Sequence, residues 1–202
     1  ANPATNVEAD VQLHDDHLVA DAAGVDQAIF TISKDGRTLF NRVVRRDGLW
    51  LPLREVAHGL PAERDAFIGR HDVLAELAQR FNSGARLVSV LGVGGTGKTR
   101  LATRFAWIWL GDYPGGAWFC DLSQARNVDG LVRAVAQGLD VPLGKDDPVV
   151  QLGHAIAGRG RCLVILDNFE QIARHADDTL GRWLDRAVEA RFLVTTREVL
   201  GL

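Results

Sequence analysis

Residues 92–99, Gly-Val-Gly-Gly-Thr-Gly-Lys-Thr, have the composition and spacing of a loop that holds phosphate groups. The glycines let the backbone curl with its N–H groups pointing inward, and a helix beginning at Lys98 adds the positive end of its dipole. The Lys98 ammonium can then reach the β- and γ-phosphates of a nucleotide, while the Thr99 hydroxyl ligates Mg²⁺. Because G-x-x-x-x-G-K-[ST] is matched in full, the segment predicts a P-loop, also called the Walker A motif.

The flanking sequence separates a P-loop from the alternative, a glycine turn with a purely structural role. An uninterrupted apolar run, RLVSVLG, precedes the loop, and an amphipathic helix is predicted from about Lys98 to Leu110. A strand before the loop and a helix after it are what phosphate binding requires. The residues predicted to contact the nucleotide here are Gly92, Gly94, Gly95, Thr96, Gly97, Lys98, Thr99 and Arg100.

A P-loop needs a second acidic group for its metal ion, at the end of a neighbouring strand. The run CLVILD leads to Asp167, which is predicted to hold Mg²⁺ together with Thr99; a helix cap after the strand is the alternative. Many ATPases of this broad class carry a glutamate directly after that aspartate, to polarise the attacking water. Here Asn168 follows, and Glu170 comes two residues later, so hydrolysis is predicted less firmly than binding. Glu170 as the base, Asn168 orienting the water, and an exposed structural glutamate all stay open.

The last predicted strand ends in Thr195-Thr196-Arg197. Polar residues at the carboxyl end of a parallel strand lie in the crevice where ligands bind, and an arginine there can sense a γ-phosphate. The alternative for Arg197 is an ordinary surface arginine. The predicted catalytic set is therefore Lys98, Asp167, Glu170 and Arg197.

Apolar periodicity indicates a parallel sheet covered by helices on both sides. Strands are predicted in RLVSVLG, GAWFCDLS, CLVILDN and ARFLVTTRE, because each is an apolar run of strand length. Helices are predicted over HDVLAELAQRF, NVDGLVRAVAQGL with Asn127 as the N-cap, and DDPVVQLGHAIAG with Asp147 as the cap and Pro148 in the first turn. A long helix is expected to bury one face made of Ile172, Ala176, Leu180, Trp183, Leu184 and Val188.

The first sixty residues differ in composition from the rest. Residues 1–26 contain six acidic residues and no lysine or arginine, whereas residues 27–70 carry eight basic residues. A Lys-Asp-Gly turn between two β-prone runs predicts a hairpin in QAIFTISKDGRTLFNRVVRR, and DGLWLPLREV is expected to add a short strand. We therefore predict an acidic segment and β-hairpin connector over 1–60, and the P-loop domain over 61–202.

Composition limits the classes of function. The 202 residues are 47% hydrophobic and 24% charged, as in a soluble globular protein. A cytoplasmic protein is expected, because the sequence shows neither a membrane span nor the basic-then-apolar order of a secretory signal. The formal net charge is −3. That charge offers no reason to expect nucleic-acid binding, and no apolar run is long enough to span a membrane. Cys120 and Cys162 lie in apolar runs, which favours buried thiols over a disulfide or a metal site.

Four segments together, FIGRHDVLAEL, the P-loop, LVILDNFEQ and FLVTTRE, look like the nucleotide-binding domain of STAND-class signal-transduction ATPases. That group includes NB-ARC domains and the ATPase modules of large bacterial transcriptional regulators, and the resemblance covers about residues 66–200. It implies that Phe67, Ile68, Gly69 and Arg70 lie against adenine and ribose, that Asp167 is the Walker B acid, and that Arg197 is the sensor. No guanine-binding Asn-Lys-x-Asp signature occurs, so ATP or ADP with Mg²⁺ is the expected ligand.

The resemblance also implies an ASCE/AAA-like α/β fold, whose parallel sheet places the P-loop strand between the fourth strand and a later fifth. The chain stops at Leu202, just after the fourth predicted strand, so the last strand and the lid are expected to be missing. A fragment of a longer chain, or a chain covered by a partner through self-association, is therefore expected. The competing functions are a nucleotide-locked scaffold without turnover, a small-molecule P-loop kinase and a DNA-remodelling ATPase.

Overall fold

The N-terminal part of the chain forms an antiparallel sheet in the computed structural model, which describes residues 11–14, 17–20, 27–34, 37–46, 49–52, 56–63 and 67–201. Its strands are β1 (Val11–His14), β2 (His17–Ala20), β3 (Gln27–Lys34), β4 (Arg37–Arg46) and β5 (Leu49–Pro52), in the order β1-β2-β5-β4-β3. The predicted hairpin is confirmed, since β3 and β4 pair antiparallel from Gln27 opposite Val44 to Lys34 opposite Arg37. All six acidic residues of segment 1–26 lie outside the described residues, and the division near residue 60 stays a prediction.

The second sheet is parallel throughout and has helices on both faces, which confirms the predicted α/β fold. Its strands are β6 (His58–Gly59), β7 (Leu87–Leu91), β8 (Ala117–Asp121), β9 (Leu163–Asp167) and β10 (Arg191–Thr196), in the order β6-β8-β9-β10-β7. The helices are α1 (His71–Asn82), α2 (Lys98–Ile108), α3 (Val128–Gly138), α4 (Pro148–Gly158) and the short α5 (Arg182–Arg186). None of the helices in the described ranges is long and apolar enough to cross a membrane.

The P-loop strand β7 lies at one edge of this sheet, beside β10, with Leu87 opposite Phe192 and Leu91 opposite Thr196. The fourth predicted strand thus adjoins the first, as the resemblance implies, and within the described residues β7 has no strand on its outer side. The fifth strand of the sheet is β6, at the opposite edge beside β8. The sequence did not predict β6, because its two residues, His58 and Gly59, are too few to show a strand periodicity.

Side chains of the central strands point alternately to the two faces of the sheet, and helices bury both faces. Val164, Leu166, Phe192 and Val194 pack into a cluster with α3 and α4, whereas Leu163, Ile165 and Leu193 pack into a second cluster with α1 and α2. The predicted caps are also observed: Asn127 Oδ1 accepts from Gly130 N at 2.9 Å, and Asp147 Oδ1 accepts from Val149 N at 2.9 Å. The sheet is therefore covered by helices on both faces, and α3 and α4, which lie on one face, have capped N-termini.

Both cysteines belong to this core. Cys120 and Cys162 are free and buried, which confirms the prediction of core thiols. Burial raises the pKa of Cys120 to about 12 and that of Cys162 to about 11. Neither thiol therefore ionises near neutral pH.

The long helix predicted after β9 is wrong. The chain instead makes 3₁₀ turns at Phe169–Gln171 and Ala173–His175 and a π-helical turn at Asp177–Gly181 before α5. Asn168 starts this segment in a left-handed conformation, φ 62°, and the Thr179 hydroxyl donates to the His175 carbonyl at 2.6 Å, so local hydrogen bonds compete with a regular helix. Four members of the expected face are buried, Ile172, Ala176, Leu180 and Trp183, while Leu184 is half-buried and Val188 is 64% exposed.

The helix predicted from Lys98 to Leu110 is slightly shorter than expected. It ends at Ile108 and is followed by a 3₁₀ turn at Leu110–Asp112. The helix still begins at Lys98, as predicted, so the end of the P-loop is unchanged.

Candidate nucleotide-binding site

The P-loop joins the carboxyl end of β7 to the first turn of α2. Gly95 and Gly97 both adopt φ 78°, a left-handed conformation that glycine accepts without strain. Lys98 Nζ donates to the carbonyls of Gly92 at 2.7 Å and Val93 at 3.0 Å. The ammonium group thus lies within the curl of its own loop. The Thr96 hydroxyl also donates to the Val93 carbonyl, at 2.9 Å, and holds the curl closed.

Thr99 and Asp167 meet at the mouth of this loop. The Thr99 hydroxyl oxygen lies 2.9 Å from both carboxylate oxygens of Asp167. Thr99 is in the first turn of α2 and Asp167 is the last residue of β9, so two separate elements bring the pair together. A hydroxyl and a carboxylate are oxygen donors of the kind that Mg²⁺ prefers, and the arrangement fits that ion.

Asp167 is fixed by further hydrogen bonds. It is only 3% exposed, the Thr195 hydroxyl donates to its Oδ1, and Asn168 Nδ2 donates to its Oδ2 at 3.1 Å. Burial raises the pKa of Asp167 above its usual range, while hydrogen bonds from Thr195 and Thr99 act in the opposite direction. A carboxylate in this environment gains from a nearby cation, because the cation favours its charged form.

Sequence reasoning missed Asp121 and gave Thr195 no individual role. Asp121 ends β8 and lies in register with Asp167 on β9; its Oδ1 accepts from Asn168 Nδ2 at 3.2 Å. Thr195 Oγ1 accepts from the Asn168 backbone N–H at 3.0 Å. A usable signal was present, since AWFCD and LVILD both end in aspartate and neighbouring parallel strands bring their carboxyl ends together.

Glu170 and Arg197 form an ion pair at the rim of the loop, with Arg197 Nε 3.0 Å from Glu170 Oε1. Glu170 has a side chain that is 11% exposed, so it is not the exposed structural glutamate considered from the sequence. The Arg197 guanidinium lies against Gly94, where a Cβ would be 3.1 Å from Nη2 and 3.2 Å from Cζ. Both side chains therefore stand beside the loop, paired with each other.

Residues 67–70 lie beside the end of the P-loop that leads into α2. Phe67 is half-buried, and the guanidinium carbons of Arg100 and Arg104 each lie 5.9 Å from its ring centroid. Gly69 and Arg70 are both left-handed, with φ 77° and 57°. Arg70 Nη1 would lie 3.6 Å from a Cβ on Gly97, while Ile68 is 89% exposed. Phe67, Arg70 and Arg100 are thus brought to the loop, whereas the Ile68 side chain is in solvent.

Comparison with known proteins gives distant relatives. No family model matches the chain. An uncharacterised protein of Mycobacterium bovis is 25% identical over 147 residues, which cover 73% of this chain and 37% of the relative. A protein of the same organism that is named an HTH-type transcriptional regulator is 28% identical over 117 residues, covering 58% of this chain and 13% of its own length. The chain thus spans well under half of the length of these curated relatives.

Among solved structures, Cdc6p from Pyrobaculum aerophilum superposes with a TM-score of 0.51 at 15% sequence identity, covering 69% of this chain and 42% of that one. At this identity the likeness concerns the fold. Together with the parallel strand order and the loop between β7 and α2, it supports a P-loop NTPase fold.

Proposed function

We propose that residues 61–202 are the ATP-binding module of a multidomain bacterial signal-transduction or transcriptional regulator of the STAND class. Bound nucleotide sets the conformation of the module, and slow hydrolysis resets it. The observation that carries this proposal is the contact of the Thr99 hydroxyl with both oxygens of Asp167, beside a loop that already encloses the Lys98 ammonium. These are the positions from which metal and phosphate would be held.

Each of the residues at and beside the P-loop has a proposed role. Lys98 exchanges its bonds to the Gly92 and Val93 carbonyls for β- and γ-phosphate oxygens, and the backbone N–H groups of the loop bind the remaining oxygens. Thr99 and Asp167 hold Mg²⁺, which neutralises charge on the phosphates. Arg197 stabilises the γ-phosphate during in-line attack by water, and Glu170 is the proposed base for that water.

The base of the nucleotide is proposed to be adenine, bound along residues 67–70. The support is the resemblance of the FIGR segment to STAND proteins and the position of Phe67 beside Arg100. The exposed Ile68 side chain supplies apolar surface for the base, and Gly69 allows close backbone approach.

The regulatory context is proposed from two lines of support. The motifs resemble STAND ATPases, and one Mycobacterium relative carries the name of a transcriptional regulator. We propose that the module works in the cytoplasm, that it contacts other domains or a second copy of the chain, and that this segment itself binds neither DNA nor a membrane.

Calorimetry with Mg²⁺ and ATP or ADP tests binding, on the parent chain, Lys98→Ala and Lys145→Ala. Lys145 is an exposed lysine between α3 and α4, which makes it a matched control for loss of one positive charge. Micromolar binding that Lys98→Ala abolishes and Lys145→Ala retains would support the proposal. Equal binding by all three chains, or none by the parent, would contradict it.

A nucleotide-locked scaffold is the second candidate function. Asn168 occupies the position directly after Asp167, and the Glu170 carboxylate is paired with Arg197. A phosphate-release assay separates the candidates, with Lys98→Ala as the blank. Phosphate release above that blank supports the switch, whereas tight binding without release supports the scaffold.

A further inference from the structure

An arginine held by a nearly buried glutamate lies across the tip of the P-loop. Arg197 comes directly after β10, and Glu170 lies in the 3₁₀ turn that follows β9, so the pair joins the ends of two neighbouring strands. Arg197 Nε is 3.0 Å from Glu170 Oε1, and the rest of the guanidinium rests on Gly94. The cation is therefore already beside the loop, but its partner is a carboxylate of the same chain.

The two members of this pair have different surroundings. The Arg197 side chain is 60% exposed, whereas the Glu170 side chain is 11% exposed. Glu170 Oε2 is buried, and no hydrogen-bond partner for it occurs among the described residues. Burying a carboxylate is unfavourable unless it is paired, so Glu170 depends on Arg197 more than Arg197 depends on Glu170. Any ligand that takes Arg197 away must compensate for the carboxylate left behind.

We propose that Glu170 is a specificity-determining residue, which holds Arg197 against Gly94 until a γ-phosphate replaces its carboxylate as the partner of the arginine. The inference rests on the proposed nucleotide function and deepens it. A terminal phosphate carries up to two negative charges and three acceptor oxygens, and it pairs with a guanidinium more strongly than one carboxylate oxygen does. A diphosphate lacks that group and leaves the ion pair in place.

This arrangement has two consequences for the nucleotide. Glu170 lowers the affinity for the triphosphate below the value that Arg197 alone would give, since the ion pair must first be broken. Binding of the triphosphate also frees the Glu170 carboxylate, so a base becomes available for water only when a γ-phosphate is present. Glu170 thereby ties nucleotide discrimination to the start of hydrolysis.

The test is calorimetry with Mg²⁺, using ADP and the non-hydrolysable analogue AMP-PNP, on the parent chain and on Glu170→Gln. We expect the affinity for AMP-PNP to rise roughly twofold to fivefold in Glu170→Gln, the range that corresponds to a partly exposed ion pair that no longer has to be broken. ADP is the internal reference, because it does not reach Arg197. Glu76→Gln is the matched control: it removes a similar pair with Arg80, at 2.6 Å on an exposed face of α1, and is expected to change neither affinity.

A double-mutant cycle distinguishes an effect through Arg197 from a structural effect of Glu170. In an Arg197→Gln background, Glu170→Gln is expected to leave the ratio of AMP-PNP to ADP affinity unchanged. Persistence of the gain without Arg197 would overturn the proposal. Thermal melting reports whether each variant is folded, and Glu170→Asp, which keeps the charge but shortens the reach, is expected to shift the ratio in the same direction by less.

The remaining outcomes separate this inference from the proposed function. If the parent chain binds both nucleotides and loses both in Lys98→Ala, but the affinity ratio is the same in Glu170→Gln, the role of Glu170 is wrong and the nucleotide site stands. If neither the parent nor Glu170→Gln binds any nucleotide, both proposals are wrong.

Discussion

The two ends of the candidate site differ in how firmly the fold holds them. The phosphate end comprises residues 92–99 with Asp167 and Thr195; there Asp167 is 3% exposed and accepts hydrogen bonds from three side chains. The base end comprises residues 67–70; there Ile68 is 89% exposed, and two successive residues are left-handed. One end is thus preorganised by the sheet, while the other is an exposed surface segment.

Substitution of Asp167 by Asn is expected to have the largest effect, because it removes the charged acceptor at the centre of the phosphate end. We expect the Mg²⁺-dependent part of ATP affinity to fall roughly 10- to 100-fold, as for loss of a charged hydrogen-bonding partner. Calorimetry with and without Mg²⁺ measures it. Asp121→Asn, on the neighbouring strand, is the control and should cost much less; equal losses in both would contradict a special role of Asp167.

Gly97→Ala tests whether the phosphate end depends on its backbone shape. Since Gly97 has φ 78°, an alanine there is strained, and we expect the free energy of unfolding to fall by about 1 kcal/mol, together with nucleotide affinity. Urea denaturation provides the measurement. Gly158, the last residue of α4, has no positive φ, and a Cβ added there would have no atom within 4 Å, so Gly158→Ala should be neutral or stabilise slightly. The same change in stability for both variants would contradict the argument.

At the base end, Arg70→Gly is expected to raise stability while lowering nucleotide affinity. Arg70 has φ 57°, which disfavours a residue with a side chain, so glycine should raise the free energy of unfolding by about 0.5–1 kcal/mol. Nucleotide affinity should fall, because the guanidinium beside Gly97 is lost. Arg70→Ala, which keeps the backbone strain, separates the two effects, and a loss of stability in Arg70→Gly would show that the side chain supports the fold.

The smallest expected effect lies outside both ends, at His58 on the edge strand β6. Its ring contacts Trp107 at 4.7 Å between centroids, and burial lowers the pKa of His58 below its ordinary value of 6.5. The folded state therefore prefers the neutral imidazole. The contribution of the neutral His58 ring to the free energy of unfolding is complete above pH 6.5. It is lost as the pH falls through the lowered pKa of His58. Urea midpoints from pH 7.5 to 5 should fall less in His58→Gln than in the parent, without any change in nucleotide preference.

Much of the phosphate end was predictable, because its residues are set by local spacing and by strand ends. Lys98 and Thr99 are set by the spacing of the glycine loop and Asp167 by the apolar run before it, and the structure brings Thr99 and Asp167 together. The pairing of Glu170 with Arg197 was not predictable, since it depends on how β9 and β10 lie side by side. The helix expected after β9 failed for a related reason: apolar periodicity shows which residues are buried, but hydrogen bonds such as that from Thr179 decide the backbone path.

The hydrogen bond from Gly92 N–H to the Thr196 carbonyl, 3.2 Å long, extends the pairing of β7 and β10 by one residue into the P-loop. The start of the loop and the residue before Arg197 therefore share one rigid base, and an exchange of partners by Arg197 needs only rotation about its own side-chain bonds. Exposed side chains rotate in picoseconds to nanoseconds, whereas domain closure takes microseconds to milliseconds. The exchange of partners proposed for Arg197 would therefore be fast compared with a domain closure.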